Sequence, residues 1–138
     1  MIGKVIGRHV TLPVTFRLPG KPDLTIEYVV DTGYTDYLTL PYAAVATMGL
    51  RFLHRIPADL ADDSTVEIDV YRATIIWHGR VIEVPVLATG RRPLLGTALL
   101  DKCHVGIPFV EDGVVTVELL FKSGNTTEHP SNTKLVTE

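Results

Sequence analysis

The chain has 138 residues, 46% of them hydrophobic, and a formal net charge of −3 at pH 7. This length suits one domain with one core, and the scattered Lys and Arg argue against a nucleic-acid surface, which needs a clustered basic face. A single cysteine, Cys103, excludes an intrachain disulfide, and the apolar runs are much shorter than the roughly 18 residues that a membrane-spanning helix needs.

The N-terminal segment lacks the features of a secretory signal. It has no charged start followed by a long apolar core and a small-residue cleavage site. Together with the single cysteine, this predicts a cytoplasmic protein in a reducing environment. Neither a nucleic acid nor a membrane is expected as a partner.

The first third of the chain predicts short β-strands and one helix. Alternating apolar and polar residues predict strands at residues 4–10, 11–18, 24–30 and 37–40. Residues 41–49 begin with a proline, continue with good helix formers and end at a glycine, which predicts a short helix with a glycine cap.

The middle of the chain predicts two hairpins. Residues 51–60 are expected to be extended, and residues 61–64 form a turn. Residues 66–77 alternate with a period of two and end at a His78-Gly79 turn, after which residues 81–87 return as a partner strand.

The end of the chain predicts a second short helix, two more strands and a polar tail. Residues 97–102 have a helical pattern, and strands at 105–109 and 114–121 flank an Asp-Gly turn. Residues 122–138 are rich in Ser, Asn, Thr, Glu and Pro and poor in apolar residues. We therefore expect a domain over residues 1–121, followed by a flexible C-terminal tail.

The candidate catalytic residue is Asp31, which opens the tripeptide Asp31-Thr32-Gly33. Val29 and Val30 favour a buried strand, which places the carboxylate at the rim of a low-dielectric interior where its protonation can be tuned. Thr32 supplies a hydroxyl that can brace a tight loop, and Gly33 permits backbone approaches that a Cβ would forbid. The tripeptide also occurs in ordinary turns, so it does not establish a catalytic site by itself.

A second motif, Leu94-Leu95-Gly96, has two aliphatic residues and a glycine ahead of a short helical pattern. The chain resembles the retropepsin-like aspartic proteases, especially their small bacterial single-domain members. The resemblance lies in the order of the elements: a hydrophobic strand that ends in Asp-Thr-Gly, a β region and then this second motif. The resemblance covers most of residues 5–110. It implies a mostly β fold, a closed barrel of the pepsin-like half-domain type with one or two short helices.

The resemblance also implies roles for individual residues. Asp31, Thr32 and Gly33 correspond to the catalytic loop, with Thr32 in a hydrogen-bond lock between two loops and Gly33 close to the substrate. Leu94, Leu95 and Gly96 are implied to pack under that loop and to support it.

The hairpin tip at residues 58–68 falls where the resemblance places the flap that closes over substrate. The candidate substrate-binding residues are therefore Tyr34, Ala61, Asp62, Asp63 and Ser64. Tyr34 departs from the family pattern, in which a small residue often follows the glycine. The acidic pair also departs from it, because family flaps often carry glycine at the tip. As a hypothesis, two acids over the site favour basic or amide-rich substrates.

Aspartic proteolysis requires two neighbouring carboxylates. Because like charges at short range cannot both ionise easily, the pair shares a proton, so that one member is base and the other acid towards an attacking water. The other acidic turns, 62–64 and 111–113, lack the preceding apolar strand and the downstream motif. A twofold homodimer places Asp31 against its own copy. We therefore expect a homodimeric aspartic endopeptidase that hydrolyses peptide or protein substrates.

Two other functions stay open at this point. A relative with the same fold could bind peptides or support assembly without catalysis, and a small-ligand β-barrel would make Asp31 an ordinary residue. The five histidines show no metal-ligand spacing, and Cys103 completes no zinc pattern with them. We expect neither a metal nor another cofactor.

Overall fold

A computed structural model describes residues 1–121. Over these residues the chain forms ten strands and two short helices. In chain order they are β1 (Ile2–Ile6), β2 (His9–Arg17), β3 (Leu24–Val30), β4 (Leu38–Leu40), α1 (Tyr42–Met48), β5 (Arg51–Asp59), β6 (Thr65–Trp77), β7 (Arg80–Ala88), β8 (Leu94–Leu95), α2 (Thr97–Leu100), β9 (Cys103–Gly106) and β10 (Val114–Leu119). The predicted mostly β fold class is confirmed. The predicted tail at 122–138 lies outside the described residues.

The core is built from strand faces that alternate as the sequence indicates. Leu12, Val14 and Phe16 of β2 are fully buried, whereas the residues between them are only partly covered. Successive residues of a strand point to opposite faces, so one face of β2 enters the core. There the Phe16 ring stacks on Tyr28 of β3, with 6.2 Å between the ring centroids.

One sheet contains the ten strands of residues 1–121, in the order β5-β6-β7-β4-β8-β3-β2-β1-β10-β9. The long strand β6 also pairs with β2, through Thr15↔Ile76, Phe16↔Ile75 and Arg17↔Thr74. Six strands therefore curve into a ring, while β5 on one side and β1, β10 and β9 on the other stay outside it. The prediction of a closed barrel is wrong in this respect. The sheet does not close a clean barrel, because four of its strands lie outside the ring.

Turn chemistry explains where the strands end. His78 and Gly79 both have positive φ, 50° and 74°, which is the geometry of a tight two-residue hairpin turn. Gly7 and Arg8 also have positive φ, 56° and 67°. This second turn makes β2 begin at His9, earlier than the predicted residue 11.

The segment after β9 differs from the prediction. β9 ends at Gly106, not at residue 109, because the next residues fold into a loop. The N–H of Val110 donates to the carbonyl of Pro108 at 2.8 Å, and the N–H of Gly113 donates to the carbonyl of Val110 at 2.9 Å. Pro108 itself has no N–H to offer to a strand partner.

No helix within residues 1–121 is long and apolar enough to cross a membrane.

The buried aromatic pair provides a test of the core. Replacing Phe16 by Ala should lower the free energy of unfolding by about 3–5 kcal/mol, because it removes a fully buried ring and leaves a cavity. Phe109 is 66% exposed, so Phe109→Ala is the matched control and should change stability by less than about 0.5 kcal/mol. Urea unfolding of both variants measures the difference. Equal losses would contradict the described core.

Candidate active site

Asp31 directly follows β3, and its backbone position is determined by β8. Val29 and Val30 pair in parallel with Leu94 and Leu95. The N–H of Asp31 then donates to the carbonyl of Leu95 at 2.9 Å. The end of β3 and the residue that carries the carboxylate are therefore held by the second sequence motif.

The Asp31 side chain closes a tight turn and is only half-buried. Its Oδ1 accepts a hydrogen bond from the N–H of Gly33 at 2.9 Å, and its carbonyl accepts one from the N–H of Tyr34 at 3.1 Å. Thr32 and Gly33 are exposed at the tip. Oδ2 of Asp31 has no hydrogen-bond partner within residues 1–121, so one carboxylate oxygen stays available for chemistry.

Gly96 and helix α2 contact the same loop from the other side. The N–H groups of Gly96 and Thr97 donate to the carbonyls of Tyr37 and Tyr34, both at 2.8 Å. A Cβ on Gly96 would lie 2.2 Å from the carbonyl oxygen of Asp36 and 2.6 Å from that of Tyr34. Only glycine fits this approach, and the loop carbonyls satisfy N–H groups that the start of a helix leaves unpaired.

Tyr34 lies inside the loop. Its ring atom Cδ2 would be 2.6 Å from a Cβ at Gly96, so the ring packs against the glycine. The hydroxyls of Tyr34 and Tyr28 are buried and have no hydrogen-bond partner within the described part of the chain. Burial is the main cause that raises the pKa of each phenol, so both stay neutral at physiological pH. The substrate-binding role of Tyr34 stays a prediction, and its contacts are those of a packing residue.

The hairpin of β5 and β6 carries the predicted flap residues at its tip. The two strands pair from Arg51↔Arg72 to Asp59↔Thr65. At the turn, the N–H of Leu60 donates to the carbonyl of Ser64 at 2.8 Å. Ala61, Asp62, Asp63 and Ser64 therefore lie together in one exposed turn.

The acidic side chains of the turn differ in their contacts. Oδ1 of Asp62 accepts hydrogen bonds from the N–H of Ser64 at 3.0 Å and from its hydroxyl at 2.5 Å. These bonds lower the pKa of the Asp62 carboxyl below its ordinary value of 3.8. Asp63 has a positive φ of 67°. Asp62 therefore stays ionised in mildly acidic solution and directs its carboxylate into its own turn.

The outer part of this hairpin is a two-stranded arm. Within residues 1–121, Thr65–Asp69 of β6 pair only with β5, since pairing with β7 starts at Val70. Leu60 and Val66 near the tip are 46% and 38% exposed. A two-stranded hairpin is marginally stable alone, and within the described residues this outer part is held only by β5–β6 pairing. Its closure over Asp31 stays a prediction.

Two residues near the loop were missed by the sequence reasoning. Nη1 of Arg92 lies 3.2 Å from Nε2 of His9, although the two residues are far apart in the chain. Two adjacent arginines just ahead of Leu94-Leu95-Gly96 were the available signal. The contact of Arg92 with His9 of β2 depends on the order of the strands in the sheet, which cannot be predicted from the local sequence.

Other chemistry-bearing residues form no second centre. No group of three or more His, Cys, Asp or Glu side chains in residues 1–121 is arranged to hold a metal ion. Sγ of Cys103 lies 3.7 Å from Nε2 of His78, and burial raises the pKa of this thiol. A protonated thiol is a weak nucleophile.

Comparisons with known proteins give one structural likeness. No protein-family model matches the chain, and no curated protein matches it. Among solved structures, the chain is similar to the solution structure of the simian foamy virus (mac) protease, at 22% sequence identity and a TM-score of 0.47. The likeness covers 65% of this chain and 92% of that one. It concerns overall architecture, and no activity follows from it.

The close approach at Gly96 leads to a stability prediction. Gly96→Ala should lower the free energy of unfolding by about 2 kcal/mol or more, because the new Cβ overlaps two loop carbonyls. A Cβ at Gly33 would meet only Oδ1 of Asp31, at 3.3 Å. Gly33→Ala is therefore the matched control, with an expected loss of less than about 1 kcal/mol. Denaturant unfolding of both variants compares them, and a Gly96→Ala protein as stable as the parent would refute the described packing.

The unpartnered hydroxyl of Tyr34 leads to a second prediction. Tyr34→Phe should leave stability unchanged or raise it, because no hydrogen bond within the described residues is lost and a buried polar group is removed. Tyr34→Ala should cost about 2 kcal/mol or more, since it empties the space over Gly96. Thermal unfolding of the pair separates the two effects. A large loss in Tyr34→Phe would show that the hydroxyl has a partner.

Proposed function

We propose that the chain is an aspartic endopeptidase that works as a homodimer with one Asp31 from each copy. The observation that carries this proposal is the construction of the Asp31 turn. The backbone is held by β8 and α2, one carboxylate oxygen is oriented by Gly33, and the other has no partner within residues 1–121. A carboxylate with a fixed backbone and one oxygen without a partner in these residues suits a reaction that needs accurate placement of a proton acceptor.

The other acidic turns of residues 1–121 offer no candidate for the second carboxylate. Asp62 points into its own turn, where Ser64 holds it. Asp112 lies in an exposed turn and faces Lys4 at 3.9 Å. Asp31 follows a strand that pairs with the Leu94-Leu95-Gly96 motif, whereas neither Asp62 nor Asp112 follows such a strand. A twofold axis beside the loop supplies an equivalent carboxylate without any further element.

The chemistry then follows from two like charges in proximity. The two Asp31 carboxyls share one proton, because two like charges at short range cannot both ionise easily. The ionised member removes a proton from water, which attacks the peptide carbonyl, and the protonated member donates to the developing oxyanion. Thr32 at the exposed tip is placed to contact the partner's loop, and Gly33 leaves room for the substrate backbone.

The β5–β6 arm is the proposed flap. Its exposed position, its single pairing partner and its apolar side chains at Leu60 and Val66 support closure over an extended peptide. Ala61, Asp62, Asp63 and Ser64 would then face the substrate. Because Asp62 stays ionised in mildly acidic solution, the tip keeps its hydrogen bonds to Ser64 there.

The test is hydrolysis of an unstructured protein, such as reduced casein, from about pH 4 to 7 at high enzyme concentration. Wild type should produce fragments, and Asp31→Asn should produce none. Asp112→Asn removes an equal charge from a remote turn with positive φ, which Asn tolerates, and should keep the activity. Far-UV circular dichroism verifies that all three proteins are folded.

Two outcomes would contradict the proposal. Cleavage that persists in Asp31→Asn would place the chemistry elsewhere. A wild-type protein that is dimeric by analytical ultracentrifugation in the same buffer but cleaves no substrate would favour a peptide-binding or assembly module of the same fold.

A further inference from the structure

We propose that a cationic patch beside the Asp31 loop selects peptide substrates that carry a carboxylate close to the scissile bond. The patch consists of Arg91 and Arg92, with His9 as the contact of Arg92 and Arg8 as its chain neighbour. This inference rests on the proposed function, because it concerns the peptide that the Asp31 site receives. It assigns to the site a substrate class opposite in charge to the basic or amide-rich class that the acidic flap tip favours by hypothesis, so the two hypotheses concern different positions of the peptide.

The β2–β3 register, extended by two residues beyond its last pair, relates His9 to Asp31. β2 and β3 are antiparallel, and their pairing runs to Thr11↔Val29. His9 lies two residues before Thr11, and Asp31 lies two residues after Val29. Continuing the same register brings His9 level with Asp31. His9 also shares the face of Thr11 and Val29, because residues two apart in a strand point the same way.

The contact between Arg92 and His9 crosses β3. In the sheet, β8 and β2 lie on opposite sides of β3. Arg92 precedes β8, and the carbonyl of its neighbour Pro93 accepts a hydrogen bond from the N–H of Val29 at 3.0 Å. To reach Nε2 of His9 at 3.2 Å, the Arg92 side chain must pass over the end of β3. By the Val29↔Leu94 register the backbone of Arg92 lies level with Glu27, so the contact spans the last residues of β3 that lead to the candidate catalytic loop.

The chemistry of this contact orients both groups. A guanidinium has only donors, so the contact is a hydrogen bond in which Nε2 of His9 is the acceptor. The contact uses one edge of Arg92. The remaining N–H groups form the planar fork that binds a carboxylate through two parallel hydrogen bonds.

The positive charges of the patch are not neutralised within residues 1–121. The ion pairs of the described chain involve Lys4, Arg17, Arg55 and Arg72. No carboxylate of the described residues lies within 4.0 Å of Arg8, Arg91 or Arg92, and all three side chains are exposed. In a chain with a net charge of −3, unpaired cations gathered at one edge of a site attract an acidic group of the ligand.

The experiment compares two pools of fluorescein-labelled octapeptides. Both pools are randomised over uncharged residues and differ only in one fixed position, Glu in one and Gln in the other, and the fixed position is moved along the peptide. Binding is measured by fluorescence anisotropy with the Asp31→Asn protein, which retains the patch. Cleavage of the same pools by the wild-type protein is followed by mass spectrometry. Both are measured at low salt and repeated at about 0.5 M salt, where the Debye length is only a few ångström.

The expected result is a position at which the Glu pool binds about fivefold more tightly than the Gln pool at low salt, a preference that fades at high salt. Arg92→Gln in the same background should remove most of this ratio. Arg51→Gln, which removes an equal charge at the start of β5, should retain it. A Glu-to-Gln ratio near one at every position, or one that Arg92→Gln leaves intact, would overturn the proposal.

The two readouts separate this inference from the proposed function. Selective binding of the Glu pool without any cleavage by wild type would support the patch and contradict the endopeptidase. Cleavage without preference for Glu would support the endopeptidase and contradict the patch. Absence of both binding and cleavage would overturn both proposals. Displacement of both pools alike by a short random single-stranded oligonucleotide would assign the patch to polyanions and overturn the peptide assignment.

Discussion

The candidate site depends on the backbone lock between the Asp31 loop and the Leu94-Leu95-Gly96 segment. Two short stretches that are distant in the chain meet as parallel strands, and hydrogen bonds continue from Asp31 N–H into the start of α2. Gly96 is required because the carbonyl of Asp36 would lie 2.2 Å from any Cβ at that position. The lock has a plain physical role: it fixes the loop through backbone hydrogen bonds, and the Asp31 carboxylate contributes one oxygen, which accepts from Gly33.

This arrangement is the basis for the proposal that two copies form the site. The loop tip is exposed and only one carboxylate oxygen has a partner within residues 1–121. The β5–β6 arm is attached to the rest of the sheet mainly through the inner half of β6. The Arg92–His9 contact connects β8 and β2, whose places on either side of β3 are fixed by strand pairing.

Local sequence signals predicted most elements of the fold. Alternation predicted β6 and the buried face of β2, the His78-Gly79 pair predicted its hairpin, and Gly49 predicted the end of α1 in a left-handed conformation. The strand-to-turn position of Asp31 was also readable, because two β-branched residues precede a turn tripeptide.

Features that depend on strand neighbours could not be read in the same way. The return of β6 to β2 involves residues far apart in the chain, so local periodicity does not report it. The Arg92–His9 contact depends on the order of β8, β3 and β2. The substrate-binding role of Tyr34 stays a prediction, and the contact of its ring with Gly96 is one that only the folded loop reveals. The early end of β9 reflects the loop that follows it, where Pro108 and Val110 make local hydrogen bonds.

The measurement that tests the central claim most directly is a mixing titration of wild-type chains with Asp31→Asn chains. The total chain concentration is held constant, and exchange of subunits is allowed before activity is measured. If one Asp31 from each copy is required, activity falls with the square of the wild-type fraction, because mixed dimers are inactive. A fall in simple proportion to the wild-type fraction would show that one Asp31 suffices and would contradict the account.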